Sequence, residues 1–223
     1  MSESAATKRR LPDAAAFIFT FDAPWLERLA VESPTRLDRY RVEAVVPVTG
    51  EAPRLGRGFS AARLERAGGV ELPAIPPDAI WYRGVKQHLL YTGERQSREL
   101  VSQSRSAMPP GEDTTAVVIP LRKTTAWWDL PQDRRQAHFS VAAAATESHT
   151  SIGMRYAGRI FRTLYSARYL GAPLEYDFVT YFEFPRSEAE TFRALLGELR
   201  DRARNPEWEF VDLEHEIWMT KLA

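Results

Sequence analysis

The residues of this chain that could do chemistry together are a histidine, an arginine and a carboxylate in its C-terminal half. His149 follows a run of alanines and precedes small residues, including Gly153, which would leave room for a flat ligand beside the imidazole. An imidazole can bind a metal ion, and an arginine keeps its charge and can hold an anion. A carboxylate such as Glu207 can orient the imidazole that binds the metal. With Arg162 shortly after His149, this set could carry out metal-centred chemistry on an anion, although the residues alone do not decide it.

Plainer explanations of the same residues are open. A lone histidine is commonly a surface residue or a hydrogen-bonded core residue, and alanines make a good helix without any ligand. The arginines at 155, 159, 162 and 168 could form the solvated face of a helix. Trp127 and Trp128 could serve only as core packing.

The composition excludes several kinds of site. Of the 223 residues, 30 are Lys or Arg and 30 are Asp or Glu, so the net charge gives no reason to expect nucleic acid or an anionic membrane as a partner. The absence of cysteine excludes disulfides, iron–sulfur clusters and thiolate ligands. The histidines at 88, 138, 149 and 215 show no zinc-binding spacing. No apolar run is long enough to span a bilayer and no secretory signal is clear, so we expect a cytoplasmic protein.

The residue patterns predict an α+β protein in which strands and helices alternate. We predict strands over residues 15–21, 42–48, 80–85, 114–121, 177–184 and 207–220. We predict helices over residues 60–67, 94–104, 130–145 and 148–168, and a further helix after a capping box at 187–190. That last helix should bury a stripe formed by Phe192, Leu195, Leu196 and Leu199. Residues 51–78, rich in Gly and Pro, predict a long excursion with at most the one short helix.

The predicted helix over 148–168 creates a geometric problem. A straight helix would place the Cα atoms of His149 and Arg162 about 19 Å apart, too far for the two side chains to meet opposite faces of one ligand. The chain must therefore bend between them, and Gly153 and Gly158 are the expected places. Glu207 falls on the apolar face of the last predicted strand, which indicates a buried carboxylate in need of a partner.

Several short motifs, taken in order, resemble the chlorite dismutase-like family of heme proteins. They are VIPLRK at 118–123, AWW at 126–128, QDRR at 132–135, SH at 148–149, RTL at 162–164, DFVTYFE at 177–183 and EW at 207–208. Each motif alone is weak, whereas their order is specific, and the resemblance covers roughly residues 81–222. It implies a dimeric α+β barrel-type unit made of two ferredoxin-like halves. The implied division is a tail at 1–12, an N-terminal half at 13–113 that contains the 51–78 loop, and a heme-binding half at 114–223.

The resemblance also implies a role for each candidate site residue. His149 would be the proximal iron ligand of heme b, Glu207 the carboxylate that hydrogen-bonds it, and Arg162 the distal arginine of the chlorite-decomposing members. The residues implied to lie near the heme are Trp127, Lys123 and Tyr91, and the implied distal glutamine is Gln103.

The implied activity is that of an oxidoreductase that converts chlorite to chloride and dioxygen. Arg162 would hold the anion and retain the hypochlorite formed on the way. The substrate is implied to be a small anion, chlorite or peroxide, and the protein a homo-oligomer. Two alternatives are open. One is a coproheme decarboxylase of the same family, for which Tyr82, Tyr91 and Tyr156 are available, and the other is a non-catalytic heme-binding or dimeric interaction module.

Overall fold

The computed structural model describes residues 13–32, 36–56, 58–66, 74–86, 98–99, 102–111, 113–139, 147–170 and 175–223. Within these residues the strands are β1 Ala14–Thr20, β2 Arg36–Thr49, β3 Ser60–Arg66, β4 Ile80–Lys86, β5 Thr114–Lys123, β6 Phe161–Ser166, β7 Phe178–Pro185 and β8 Val211–Lys221. The α-helices are α1 Ala23–Glu32, α2 Thr125–Asp129, α3 Gln132–Ala137, α4 His149–Tyr156 and α5 Ala189–Arg200. Short 3-10 turns cover Arg168–Leu170, Arg186–Glu188 and Pro206–Phe210.

The strands form one closed antiparallel barrel. Their order is β1-β3-β2-β8-β5-β7-β6-β4, and β4 pairs again with β1. The last contact, between β4 and β6, joins only Val85 to Ser166 and Lys86 to Tyr165. Gly84 lies beside this seam, where a Cβ would stand 2.7 Å from the Cβ of Tyr165. The barrel therefore closes at a place where only glycine lets the two strands approach.

Alternating side chains give the barrel two packed faces. On β7, Val179 and Tyr181 point into the barrel, and Phe182 belongs to a separate cluster on its outer face. On β6, Tyr165 is inside, which places Arg162 and its alternate neighbour Leu164 on the outer face.

Helices cover parts of the outer face. The predicted stripe of α5 is confirmed: Phe192, Leu195, Leu196 and Leu199 are all buried and pack on the sheet formed by β5 and β7. On the other half of the barrel α1 packs Leu26 on Ile18 of β1. The helices α4 and α5 therefore stand over the same face of the sheet that carries Arg162.

The barrel interior also contains paired charges. Lys221 Nζ lies 2.7 Å from Glu183 Oε1, and neither side chain is exposed. The Tyr181 hydroxyl donates to the same carboxylate and is 2.7 Å from the hydroxyl of Tyr40. Because every one of these groups has a partner, the polar cluster is compatible with burial.

Five of the six strand predictions are confirmed by β1, β2, β4, β5 and β7. The strand predicted over 207–220 begins only at Val211, because Pro206–Phe210 forms a 3-10 turn that contains Glu207. The excursion predicted over 51–78 contains β3, so the helix predicted over 60–67 is wrong. Small apolar residues on both faces of β3, such as Ala61 and Ala62, obscure the alternation of a strand.

Two further helix predictions need correction. The helix predicted over 148–168 ends at Tyr156, and the chain then turns into β6. The capping box at 187–190 does not form, since α5 starts at Ala189 without a side-chain cap.

Other predictions fall partly or wholly outside the described residues. In the predicted 130–145 helix the structure shows α3 only, and residues 140–146 lie outside the described part. Most of the predicted 94–104 helix also lies outside it, although residues 98–99 and 102–103 are helical. The predicted tail at 1–12 is not described either.

None of the helices in the described ranges is long and apolar enough to cross a membrane.

Candidate functional site

The helix α4 begins at His149 because the serines around it form a reciprocal cap. The Ser148 hydroxyl accepts a hydrogen bond of 3.2 Å from the Ser151 N–H, and the Ser151 hydroxyl accepts one of 2.8 Å from the Ser148 N–H. This arrangement satisfies amides that the first turn leaves without intrahelical partners. It fixes His149 as the first helical residue.

His149, Glu207 and Lys123 form a charged cluster beneath that helix. His149 Nδ1 lies 2.7 Å from Glu207 Oε2, and Lys123 Nζ lies 2.6 Å from Glu207 Oε1. The ring N–H is not well aligned on the oxygen, but neither atom has another partner among the described residues. Because Nδ1 faces the carboxylate, Nε2 is the ring nitrogen left for a ligand.

The electrostatics of the cluster keep Glu207 ionised. Its side chain is 4% exposed, and burial alone would raise the pKa of the carboxyl. The Lys123 ammonium and the His149 ring outweigh burial and hold the pKa of Glu207 well below its usual range. A permanent carboxylate beside Nδ1 fixes the proton there and increases the donor strength of Nε2.

A cavity of about 480 Å³ opens beside the imidazole, between α4 and α5 on one side and the outer face of the sheet on the other. Ile119 and Phe182 line it from the sheet, and Leu195 lines it from α5. Gly153 lies one turn after His149 in the same wall, where a Cβ would meet no atom within 4 Å. The volume of the cavity is in the range of sites that bind a small molecule or a cofactor.

Arg162 faces this cavity from β6. Its side chain is exposed, and the surface it exposes lines the cavity. Protein atoms surround the remaining sides, so burial lowers the pKa of Arg162 while the Glu207 carboxylate opposes that shift. A guanidinium nevertheless stays charged. Within the described ranges Arg162 has no ion-pair partner, so it is available to an anion.

The change from helix to strand solves the distance problem posed by the sequence. The helix predicted to run through Arg162 would have carried its side chain away from His149. Instead the chain turns after Tyr156, near Gly158, and returns on β6 across the cavity. His149 and Arg162 therefore line the same cavity, one from a helix and one from the sheet.

Two other residues that the sequence analysis placed near the heme, Trp127 and Lys123, also line the cavity. Trp127 is 2% exposed and lines the cavity from α2, with its ring packed on His138 and Phe210. The Lys123 ammonium lies 4.8 Å from the centroid of the Trp127 ring, a cation–π distance. The contact with the Trp127 ring helps to keep the Lys123 ammonium beside the Glu207 carboxylate.

The remaining two predicted residues are not brought to the cavity by the described structure. Gln103 is exposed, its amide donates to Glu99 over 3.5 Å, and it is not among the residues that line the cavity. Tyr91 lies outside the described residues.

Sequence reasoning missed several lining residues. The cavity is also lined by Arg63 and Glu65 of β3 and by Lys86 of β4. The strand β4 pairs with β6 over two residues only. Glu214 on β8 also lines it and is buried. An acidic residue in a largely apolar strand is the signal that could have found Glu214, but its partner Arg200 lies on another element, α5.

The donor set fits a metal that brings ligands of its own. Among the described residues no group of three or more His, Asp or Glu side chains could hold a metal ion. His149 instead offers one imidazole, backed by a carboxylate, at the wall of a cavity with open space beside it. A heme iron needs only this from the protein, because the porphyrin supplies the other four nitrogens.

Comparisons with known proteins agree with one another. The family model described as chlorite dismutase matches residues 72–213. A solved structure of dimeric chlorite dismutases from Nitrobacter winogradskyi is 28% identical, with a TM-score of 0.65 over 92% of this chain and 99% of that chain.

Two structures from Candidatus Nitrospira defluvii show likeness of fold alone. A mutant chlorite dismutase in complex with cyanide is 19% identical, with a TM-score of 0.65 over 95% of this chain and 91% of that chain. A chlorite dismutase in complex with imidazole is 19% identical, with a TM-score of 0.60 over 92% of this chain and 90% of that chain. A search of the curated proteins found no match.

Proposed function

This chain belongs to the chlorite dismutase family, and we propose that it is a heme b oxidoreductase that decomposes chlorite to chloride and dioxygen. Members of the family are generally heme-dependent enzymes. The observation that carries the proposal is a single cavity lined by His149, whose Nδ1 faces a carboxylate, and by Arg162, which has no described ion-pair partner.

The proximal residues would hold and tune the cofactor. Bound heme would supply an iron with an open face for an oxyanion and the capacity to transfer an oxygen atom. His149 would bind that iron through Nε2. Glu207 keeps the proton on Nδ1, and Lys123 keeps Glu207 ionised.

Arg162 would bind the substrate. Its guanidinium can donate two parallel hydrogen bonds to a small oxyanion. The same charge would keep an anionic intermediate in the cavity until the reaction is complete. The apolar walls formed by Ile119, Leu121 and Phe182 exclude water and strengthen that attraction.

Dioxygen release is the direct test. The protein is reconstituted with heme b, heme loading is measured by absorption, and dioxygen from chlorite is followed with an oxygen electrode. We expect Arg162→Ala to lower kcat/KM by roughly 100-fold while heme affinity stays the same, since one charged contact to the reacting anion is lost. Arg159→Ala is the matched control, because Arg159 is exposed, pairs with Glu188 and does not line the cavity. A fully loaded wild-type protein that releases no dioxygen would refute the activity.

A second candidate is coproheme decarboxylation, for which the porphyrin is the substrate. Tyr156 favours it, because this tyrosine lines the cavity and burial raises the pKa of its phenol. Tyr82 does not line it and instead bonds His215 at 2.9 Å. Mass spectrometry of coproheme incubated with the protein and peroxide would show loss of carboxyl groups, and that loss should disappear in Tyr156→Phe.

The non-catalytic alternative has a spectral test. His149→Ala should change the heme absorption spectrum if His149 binds the iron. An unchanged spectrum would favour a carrier or interaction module over either enzyme.

The barrel architecture supports two further proposals. Followed in one direction round the barrel, the strand order is β4-β1-β3-β2 in the first half and β8-β5-β7-β6 in the second, so each half has its own fourth, first, third and second strand in the same order. We interpret the halves as two ferredoxin-like units that divide near residue 113. The similar Nitrobacter winogradskyi protein is described as dimeric, and we propose that this chain is also a homo-oligomer.

A further inference from the structure

A second ion pair joins the segment that carries His149 to the segment that carries Glu207. Glu147 stands two positions before His149, and Arg204 stands three positions before Glu207. Arg204 Nε lies 2.5 Å from Glu147 Oε2, and Arg204 Nη2 lies 3.0 Å from Glu147 Oε1. The two contacts, Glu147 with Arg204 and His149 with Glu207, are therefore successive rungs between the same two segments.

Two further charges close the outer rung into a ring of alternating sign. Arg155 Nη1 lies 2.6 Å from Glu147 Oε1, and Arg155 Nη2 contacts the Glu198 carboxylate. Arg204 Nη1 lies 3.4 Å from Glu198 Oε1. Since Arg155 is in the last turn of α4 and Glu198 is in α5, the ring connects the whole length of α4 to its neighbour. One partly exposed ion pair contributes little to stability, whereas paired contacts within a network fix a geometry.

The residues between the rungs are held in place, so a constraint on the outer rung reaches the inner one. Ser148 caps α4 and lies between Glu147 and His149 on one segment. On the other segment Asn205 is buried, and its side chain donates 2.7 Å to the Leu199 carbonyl. The next residue is a proline, which has a fixed φ and begins the 3-10 turn that contains Glu207.

The contact between His149 and Glu207 is of a kind that a small rotation of α4 would change. Its 2.7 Å separation is short, but the ring N–H is not well aligned on the oxygen, and hydrogen bonds weaken steeply with angle. The buried apolar side chain of α4 is Ile152, and apolar contacts are not directional. Directional contacts are needed to fix the rotation of the helix, and the ring supplies them.

We propose that Glu147 and Arg204 are positioning residues that set the contact between His149 and Glu207. The proposal rests on the proposed function, because the donor strength of His149 matters only to a bound metal. Neither Glu147 nor Arg204 lines the cavity, so neither would touch the cofactor or the substrate. Their effect would reach the iron through the imidazole and the carboxylate that orients it.

The iron–imidazole bond and the retention of heme measure this role. Glu147→Gln removes the charge from the rung and keeps the size of the side chain. We expect excess apomyoglobin to remove heme b about tenfold faster from this variant than from wild type. The iron–imidazole stretching band in the resonance Raman spectrum of the ferrous protein should move to lower frequency, because a weaker hydrogen bond to Nδ1 lowers the donor strength of Nε2.

Glu190→Gln is the matched control. Glu190 forms an exposed ion pair with Arg193 on α5 and does not line the cavity, so both readouts should stay at their wild-type values. An unchanged band in Glu147→Gln would overturn the positioning role. That holds even if heme leaves faster, since faster loss with an unchanged band would show only that the ring stabilises the fold.

Arg204→Met tests the same rung from its other side and decides the question alone if Glu147→Gln fails to fold. We expect the band to move in the same direction, and a band at the wild-type frequency would contradict the proposal. Because both substitutions break one contact, the double variant should shift the band no further than the larger of the two single shifts. Additive shifts would mean that Glu147 and Arg204 act separately.

The two proposals fail differently. If the wild-type protein does not bind heme b, the proposed function falls and the positioning role falls with it. If it binds heme b and releases dioxygen, but the band is the same in wild type, Glu147→Gln and Arg204→Met, only the positioning role is refuted.

Discussion

At the scale of single residues, Glu207 is the group on which the other members of the site depend. One of its oxygens faces His149 Nδ1 and the other meets the Lys123 ammonium. The Glu207 and Lys123 side chains are both buried, and an unpaired charge in such a place is strongly unfavourable. The carboxylate is therefore both the orienting group for the imidazole and the counter-ion for the lysine.

Glu207→Gln should destabilise the protein because it leaves the Lys123 ammonium buried without a counter-ion. We expect a loss of about 3 kcal/mol in the free energy of unfolding, measured with urea. The double variant Lys123→Met with Glu207→Gln should recover more than half of that loss, since no charge is then left buried. Equal losses in the single and double variants would mean that the ion pair does not explain the effect.

The element that presents His149 is a helix of only two turns, and its stability depends strongly on its cap. Ser148→Ala removes the hydroxyl that accepts from Ser151, and we expect a loss of about 1 kcal/mol in urea unfolding. Ser106→Ala, at an exposed serine before β5, should stay within about 0.5 kcal/mol of wild type. A Ser148→Ala protein as stable as that control would show that packing, not the cap, holds α4.

A second element-scale feature is the seam between β4 and β6. Gly84→Ala would place a methyl group 2.7 Å from the Cβ of Tyr165, both on backbone-anchored positions that cannot move apart freely. We expect a loss of about 2 kcal/mol in the free energy of unfolding. The matched control is Gly197→Ala within α5, where a Cβ meets nothing within 4 Å and a gain of about 0.5–1 kcal/mol is expected. A neutral Gly84→Ala would mean that the seam can widen.

At the scale of the whole molecule, the barrel interior makes stability depend on pH. His215 lies in that interior, bonds the Tyr82 hydroxyl, and has its other ring nitrogen without a partner among the described residues. Burial lowers the pKa of His215 to about 4. The neutral ring is therefore favoured in the folded state, and the unfolded chain takes up a proton at a higher pH than the folded one.

This linkage gives a signed prediction. The contribution of His215 to stability is complete above the unfolded pKa of about 6.5 and is lost as the pH falls toward the folded value. Between about pH 7.5 and pH 4.5 we expect the cofactor-free wild type to lose roughly 2 to 3 kcal/mol more than His215→Gln, which stays neutral and still accepts from Tyr82. Urea unfolding at both pH values measures the difference. Parallel losses in the two proteins would show that His215 titrates normally.

The sequence by itself determined the alternation of elements and the buried stripe of α5, and it supplied the candidates for the site. Strands with clear alternation and the spacing of Leu195 and Leu199 report on local periodicity, which a chain carries without its fold. The candidates His149, Arg162 and Glu207 came from the ordered motifs, since no local pattern links residues so far apart in the chain.

Only the tertiary structure decided which face of each element is covered and where the chain reverses. Arg162 was assigned to a helix because its segment lacks a strong period, and pairing with β7 makes that segment a strand. The sequence made no prediction for Glu214, whose ion pair is with Arg200 at the end of α5, a different element of the fold. Contacts of this kind depend on long-range packing, which local propensity does not encode.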